Sequence, residues 1–461
     1  MDSPRSTVAR HVVVIPYPGR GHINPMLPLC RRLALCGGLL VTVVVTDEWL
    51  DLLSSSSPAS APVPGVRFRS IPNVLPSERT RASEYSVFLE AVMTKMERHV
   101  EEIVEGIEPK VVLILVDLLL PWAEEIGRRR GIPVAALFTE SAAVFLAFHE
   151  LKRLGEDSEV PKEDHEILRY LPKASIPYLP DFTSKSFGKS LLTIYTELNS
   201  WYPRAQCLLF NSIHEIETHT LNALKSKISV PIYSIGPSIP HHALEEETPE
   251  DTHYFKWLDS QPNNSVLYVS LGSFLPLSSA EMEEMTMGLK ISGHRVLWTV
   301  RGNSESIRDL INGDMGVVVS WCDQLRVLCH PSVGGFLTHC GWNSTLEALY
   351  SGVPMLTYPL MWDQYPNSKL VVDEWGVGFR LKDEKKDDES VPREVIAKFV
   401  RVLMDLEADE SLKMRRRAQE LKEICHRAID DQKGSSNASI DSFIRDIACG
   451  TQKVGERSVT V

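Results

Sequence analysis

A chain of 461 residues is too long for one ordinary hydrophobic core and points to two or three domains. Its 43% hydrophobic content is that of a soluble globular protein, and a net charge of −12 argues against a nucleic-acid surface, which needs clustered Lys and Arg. Any anionic ligand is therefore expected to be held by local dipoles and not by the overall field. Eight cysteines without metal-type spacing fit a reducing compartment. The polar start shows no signal peptide, and the longest apolar run, Val111 to Ala123, is interrupted by Asp117 and Pro121 and is too short to span a bilayer. A soluble cytoplasmic protein is expected.

Taken in chain order, the first half alternates β-branched runs with helical stretches, the pattern of a parallel sheet wrapped by helices. Strands are predicted at Val12 to Ile15, Leu39 to Thr46, Val66 to Ser70, Val111 to Val116, Val134 to Leu137 and Cys207 to Phe210. Helices are predicted at Ile23 to Leu35, Ser83 to Glu105, Pro121 to Arg130, Ala142 to Leu154 and Ile213 to Ser226. From Leu151 to Tyr202 the pattern weakens into charged, Pro-containing sequence. Such excursions shape ligand pockets as often as they are solvated surface. The acidic, Pro-bearing stretch after Pro237 reads as an interdomain linker, set at residues 241–255. A second alternation follows, with strands at Val266 to Ser270, Arg295 to Val300, Gly316 to Val319, Val333 to Leu337 and Met355 to Tyr358. Lys382 to Ser390 reads as a solvated charged loop, and helices close the chain at Arg393 to Leu406, Glu410 to Ile429 and Ala438 to Ala448. The fold class is thus α/β, with two Rossmann-like, doubly wound halves, 1–240 and 256–437, facing each other across a cleft.

Two stretches carry chemistry. The loop PYPGRGHINPM sits where the first strand feeds the first helix, a position that borders the ligand crevice in doubly wound sheets. Its Gly-x-Gly resembles a dinucleotide fingerprint, but Asn24 stands where the third glycine belongs, so a nicotinamide-dependent oxidoreductase is the weaker alternative. The loop supplies His22, a residue type that titrates near pH 6.5 and serves as a general base near neutrality. Asp117 follows a buried apolar strand. The second stretch, Trp321 to Gln364, reads as strand, polar turn, helix and strand. Its helix is expected to begin near Ser344, so the turn presents free backbone N–H groups to a phosphate. Trp321 is suited to stacking on a base, Gln324 to reading its edge, and His339, Asn343 and Ser344 to donating to phosphates. Glu347 is able to accept from a ribose diol, and Asp363 and Gln364 from sugar hydroxyls. Ser344 and Glu347 also satisfy a Ser-x-x-Glu capping box, a purely structural alternative for that pair.

At these residues the chain resembles the plant-type family 1 UDP-dependent glycosyltransferases. The segment Trp321 to Gln364 has that family's 44-residue nucleotide-sugar signature, opening on Trp, containing His-Cys-Gly-Trp-Asn-Ser with a Glu three residues on, and closing on Asp-Gln. The resemblance implies a GT-B fold whose last helix, within 438–461, returns to the N-terminal domain, with no membrane anchor after it. It implies that His22 and Asp117 form a catalytic dyad, and that Trp321 and Gln324 face the uracil; Cys322 is counted among the donor-binding residues although Cys322-Asp323 replaces the family's commoner Ala-Pro. It places His339, Asn343, Ser344 and Ser273 near the diphosphate, Glu347 on the ribose, and Trp342, Asp363, Gln364 and Thr139 on the sugar. Gln364 at the last signature position goes with glucose, so UDP-glucose is the expected co-substrate. No cofactor is expected, and no metal, since the sequence has no Asp-x-Asp pair. Candidate acceptor contacts are Arg20, Phe182, Phe187, Trp201 and Trp362, and the bulky Trp362 stands where small residues are usual and is placed to narrow the sugar subsite. The function implied is inverting transfer of a sugar to a hydroxyl or carboxyl of a small lipophilic acceptor such as a phenolic, flavonoid or terpenoid, by a monomer. A non-catalytic nucleotide-sugar-binding protein is the other alternative; a serine hydrolase is disfavoured because Gly-x-Ser-x-Gly is missing.

Overall fold

The computed structural model describes residues 10–55, 63–155, 197–245, 253–272, 277–301, 305–382, 390–430 and 433–449, apart from 79, 82, 83, 312 and 314. Thirteen strands in the described residues form two parallel sheets. The first contains β1 (His11–Ile15), β2 (Leu40–Thr46), β3 (Val66–Ile71), β4 (Val111–Asp117), β5 (Val134–Phe138), β6 (Cys207–Phe210) and β7 (Ile232–Ser234), in the order β3-β2-β1-β4-β5-β6-β7. The second contains β8 (Val266–Ser270), β9 (Arg295–Thr299), β10 (Gly316–Val319), β11 (Val333–Thr338), β12 (Met355–Thr357) and β13 (Gly378–Arg380), in the order β10-β9-β8-β11-β12-β13.

The central strands are apolar throughout because helices cover both faces of each sheet. Along β1, Val12 and Val14 enter one core while Val13 and Ile15 enter the core on the opposite face, and all four are fully buried. In β11, Phe336 and Leu337 divide in the same way between the two cores of the second sheet. Strand order reverses between β1 and β4 in the first sheet and between β8 and β11 in the second. The loops that leave the carboxyl ends of those strands therefore diverge and open a crevice.

The predicted strands form within a residue or two of their expected ends. β7 and β13 went unpredicted because three residues each, Ile-Tyr-Ser and Gly-Phe-Arg, carry too little periodicity to register. The single helix expected over Ser83 to Glu105 is two, Tyr85–Thr94 and Glu97–Gly106. Helix Asp47–Ser55 was not anticipated, nor was helix His253–Asp259, whose buried Tyr254 and Leu258 join the second domain's core.

The last helix, Ser435–Cys449, follows a long helix of the second domain, Asp409–Ala428, yet packs on the first. Ile440, Phe443 and Ile447 sit in the core that covers β1 and β2. Phe443 lies 5.7 Å from the Tyr233 ring, whose hydroxyl donates to Asp446. Phe443 is 2% exposed, so Phe443→Ala should cost about 3–5 kcal/mol, read as a lowered urea midpoint; an unchanged midpoint would mean that this helix is not docked in solution.

Candidate active site

The register of β1 on β4 pairs Ile15 with Val116, so the chain leaves the sheet at Pro16 and at Asp117 side by side. Helix Arg20–Gly37 then begins, with His22 in its first turn. His22 Nδ1 lies 2.8 Å from Asp117 Oδ2 and 2.9 Å from Thr139 Oγ1, the residue after β5. Asp117 is 1% exposed and accepts the Leu119 backbone N–H (3.0 Å) at its other oxygen, so both carboxylate oxygens are engaged. Tyr17, which the sequence reading did not single out, sets its ring 4.8 Å from the imidazole. With Nδ1 held by the carboxylate, the nitrogen left to act on a ligand is Nε2, and the carboxylate is placed to stabilise an imidazolium.

The second domain supplies the opposite wall. Trp321, just beyond β10, is 47% exposed, an unusual state for an indole and one that leaves its face open to stacking. Gln324 opens a short helix capped by Asp323; its amide donates to Ser344 Oγ (2.9 Å) and Glu347 Oε2 (2.7 Å) and accepts from Tyr268 OH (3.1 Å). Burial pushes the Glu347 carboxyl up to about 7 against the opposing pull of the Gln324 amide, and Asp323 nearby raises it further. Cys322 is buried, its thiol 3.2 Å from the same Tyr268 hydroxyl, so its side chain points into the protein. Tyr268 is a member of this network that the sequence reading missed, since a strand tyrosine carries no motif.

Helix Trp342–Ser351 starts two residues earlier than expected, capped by Gly341. Ser344 is therefore already inside the helix, and the capping box does not form: Ser344 and Glu347 are bound by Gln324 instead. Gly341 has no side chain with which to cap the helix; the Asp363 carboxyl takes the Trp342 N–H, and those of Asn343 and Ser344 are left without an intrahelical partner. His339 is wedged between Gly272 and Gly341. A Cβ on either would lie 2.8 or 2.6 Å from its Nε2, and Gly272 also needs a φ of +83°. Burial pushes His339 down to about 4 against the opposing pull of the Ser270 carbonyl, so it is neutral near pH 7, and its buried Nδ1 has no hydrogen-bond partner that meets full geometry among the described residues. It brings no charge to a phosphate.

Asp363 and Gln364 follow Trp362, which adopts a left-handed φ of +51°. Asp363 accepts from Asn367 Nδ2 (2.8 Å); burial raises its carboxyl to about 6, while the neighbouring His22 and the Trp342 backbone N–H pull it down. In the same wall the Asn343 amide donates to the Gly21 carbonyl at 2.7 Å, next to the histidine of the other domain. The Gln364 amide oxygen accepts from the Leu360 and Met361 N–H groups at 2.8 and 3.2 Å.

Several expected ligand contacts have other roles. Trp342 is 3% exposed and donates its indole N–H to the Asn211 carbonyl at 2.6 Å, so its side chain ties the domains together and only its backbone faces the Asp363 region. Trp201 is 1% exposed with its N–H on the Leu118 carbonyl, and is a core residue instead of a pocket wall. Trp362 packs on Tyr85 of the first domain at 5.4 Å between ring centroids. Arg20 lies over Trp49, 5.6 Å from its ring. Ser273, Phe182 and Phe187 lie outside the described residues. Among the described residues no helix is long and apolar enough to cross a membrane.

A family model described as UDP-glucoronosyl and UDP-glucosyl transferase matches residues 239–390. UDP-glycosyltransferase 87A2 of Arabidopsis thaliana is 44% identical over 451 residues, 95% of this chain and 97% of that protein. Os79 from O. sativa in complex with U2F and trichothecene superposes with a TM-score of 0.82 at 28% identity, covering 95% of this chain and all of that one. Medicago truncatula UGT71G1 complexed with UDP-glucose does so at 0.77 and 26% identity, over 95% and 98%. With the GT-B architecture, the open indole and the paired histidine and aspartate in place, the chain belongs to the plant-type family 1 UDP-glycosyltransferases.

Proposed function

We propose that this enzyme transfers glucose from UDP-glucose, with inversion, to a hydroxyl of a small lipophilic acceptor such as a phenolic, flavonoid or terpenoid. The observation that carries the reading is the His22–Asp117 pair, 2.8 Å apart at Nδ1, which leaves Nε2 as the base at the crevice. In the proposed step His22 Nε2 removes the acceptor proton as that oxygen bonds to the anomeric carbon. The bond from that carbon to the phosphate oxygen breaks, and UDP leaves with the electron pair. One displacement converts an α-linked donor into a β-glycoside.

The leaving diphosphate is met by the first-turn N–H groups of helix Trp342–Ser351 and by neutral His339, so the reading needs neither a metal nor a cofactor. Trp321 stacks on the uracil, Gln324 reads its edge, Glu347 accepts from the ribose, and Asp363 and Gln364 hold the sugar. The solved relative that holds UDP-glucose and the one that holds a trichothecene support the choice of donor and of acceptor class. Action as a monomer in the cytoplasm completes the proposal.

Mass spectrometry of reactions with UDP-glucose or UDP-galactose and a panel of phenolic, flavonoid, terpenoid and carboxylate acceptors tests the whole reading. A hexose added from UDP-glucose alone is expected; preference for UDP-galactose would overturn the role of Gln364. His22→Ala should lower kcat by roughly 10²–10⁴-fold while calorimetric UDP affinity stays within about threefold, and parallel loss of both would make His22 a structural residue. Because the Glu347 carboxyl titrates at about 7 in the free enzyme, it is charged above that pH and protonated below it. The donor KM should therefore rise as pH falls from 8 to 6. Glu347→Gln should raise it roughly tenfold and remove that dependence, whereas a wild-type KM in this variant would rule out the ribose contact.

A further inference from the structure

We infer that Asn211 is a positioning residue that sets the donor-binding helix against the peptide bond carrying His22. Asn211 follows β6 and is fully buried, yet it lies in no signature, and its hydrogen bonds go to Ser238, Asn343 and Trp342 and not to the dyad. Its side chain is the middle of a chain of three hydrogen bonds that crosses between the domains. The Ser238 backbone N–H donates to Asn211 Oδ1 (2.8 Å), Asn211 Nδ2 donates to Asn343 Oδ1 (3.2 Å), and Asn343 Nδ2 donates to the Gly21 carbonyl (2.7 Å).

The direction of this chain is set at both ends. A backbone N–H can only donate and a carbonyl can only accept, so both amides have one allowed orientation. The receiving end is prepared by the sequence. Gly21 and Pro25 stand four apart in helix Arg20–Gly37, and Pro25 has no N–H to give to the Gly21 carbonyl, which is left for Asn343. The return path is short as well, because Ser238 Oγ donates to the Pro25 carbonyl at 2.5 Å. The Gly21 carbonyl belongs to the peptide group that joins Gly21 to His22, so its anchor controls where the imidazole starts. Asn211 also accepts the Trp342 indole N–H through its own carbonyl, and thus grips two successive residues at the start of the phosphate-facing helix. One buried amide therefore aligns the base with the donor, an inference that rests on the reading of His22 as that base.

Three variants are compared for kcat, calorimetric UDP affinity and melting temperature. Asn211→Ala should lower kcat by roughly 10- to 100-fold, as a displacement of about 1 Å between base and donor does, with UDP affinity within about threefold of wild type. Asn211→Asp is nearly isosteric and carries a pH signature. Protonated, it can donate to Asn343 as the amide does. Ionised, it can only accept, and Asn343 must turn an oxygen toward the Gly21 carbonyl. The ratio of its kcat to that of wild type should therefore fall as pH rises, which a packing role would not produce. Unchanged kcat in Asn211→Ala overturns the inference, as does an equal loss of kcat and UDP affinity. If Asn211→Ala does not fold, a pH-independent ratio for Asn211→Asp overturns it alone. His22→Ala, run alongside, separates the two readings: wild-type activity there refutes the base, while a dead His22→Ala with an active Asn211→Ala refutes only the positioning.

Discussion

Parallel pairing of β1 with β4 is the constraint from which the active site follows. Because the strand order reverses there, the helix after β1 and the loop after β4 leave the sheet in different directions, and their first residues stay in reach of each other. His22 and Asp117, 95 positions apart in sequence, meet at 2.8 Å for that reason. The same row of strand ends continues through Thr139 after β5 and Asn211 after β6, whose strands are in register from Ala135 and Cys207 to Phe138 and Phe210. A carboxylate buried to 1% exposure is costly unless its oxygens are occupied, and here His22 and the Leu119 N–H occupy them.

The opposite wall solves a different electrostatic problem. A protein of net charge −12 has no surplus of positive charge to offer a diphosphate, and His339, at the turn, is held neutral by burial. What remains is dipolar: the Asn343 and Ser344 N–H groups at a helix start and a glycine-walled imidazole. Two of the three acidic residues of the signature are drawn toward neutrality by the same burial, Glu347 to about 7 and Asp363 to about 6. Their carboxyls therefore repel a diphosphate less than two exposed carboxylates would, while they remain able to accept from hydroxyls.

Much of this was legible in the sequence because it is local. Periodicity marks the central strands, which are buried on both faces, and it fails for β7 and β13, which are three residues long. The spacing from Trp321 to Gln364 marks the wall of the second domain, and Gly-His-Ile-Asn-Pro marks the histidine that meets Asp117. The directions of the Trp342 and Trp201 indoles were not legible for a shared reason: a tryptophan near a motif looks like a ligand contact, whereas the direction of its indole is decided by which carbonyl its N–H finds. Those carbonyls, on Asn211 and Leu118, belong to distant segments. The Ser-x-x-Glu pattern was ambiguous because the helix start depends on the left-handed Cys340 and on Gly341, not on the pattern itself.

By itself the sequence determined the two α/β halves, the family and which residues form the second domain's crevice wall, since each is written in contiguous residues at set spacings. Only the tertiary structure decided how the halves meet: which indole bridges them, where Trp362 rests, and that Asn211 links Ser238 through Asn343 to Gly21. Hydrogen bonds between residues 132 and 322 positions apart depend on where the chain returns in space, and no local pattern encodes that. Pro25 is the one trace of it in the sequence. The N–H it lacks leaves the Gly21 carbonyl for a partner that the fold then supplies.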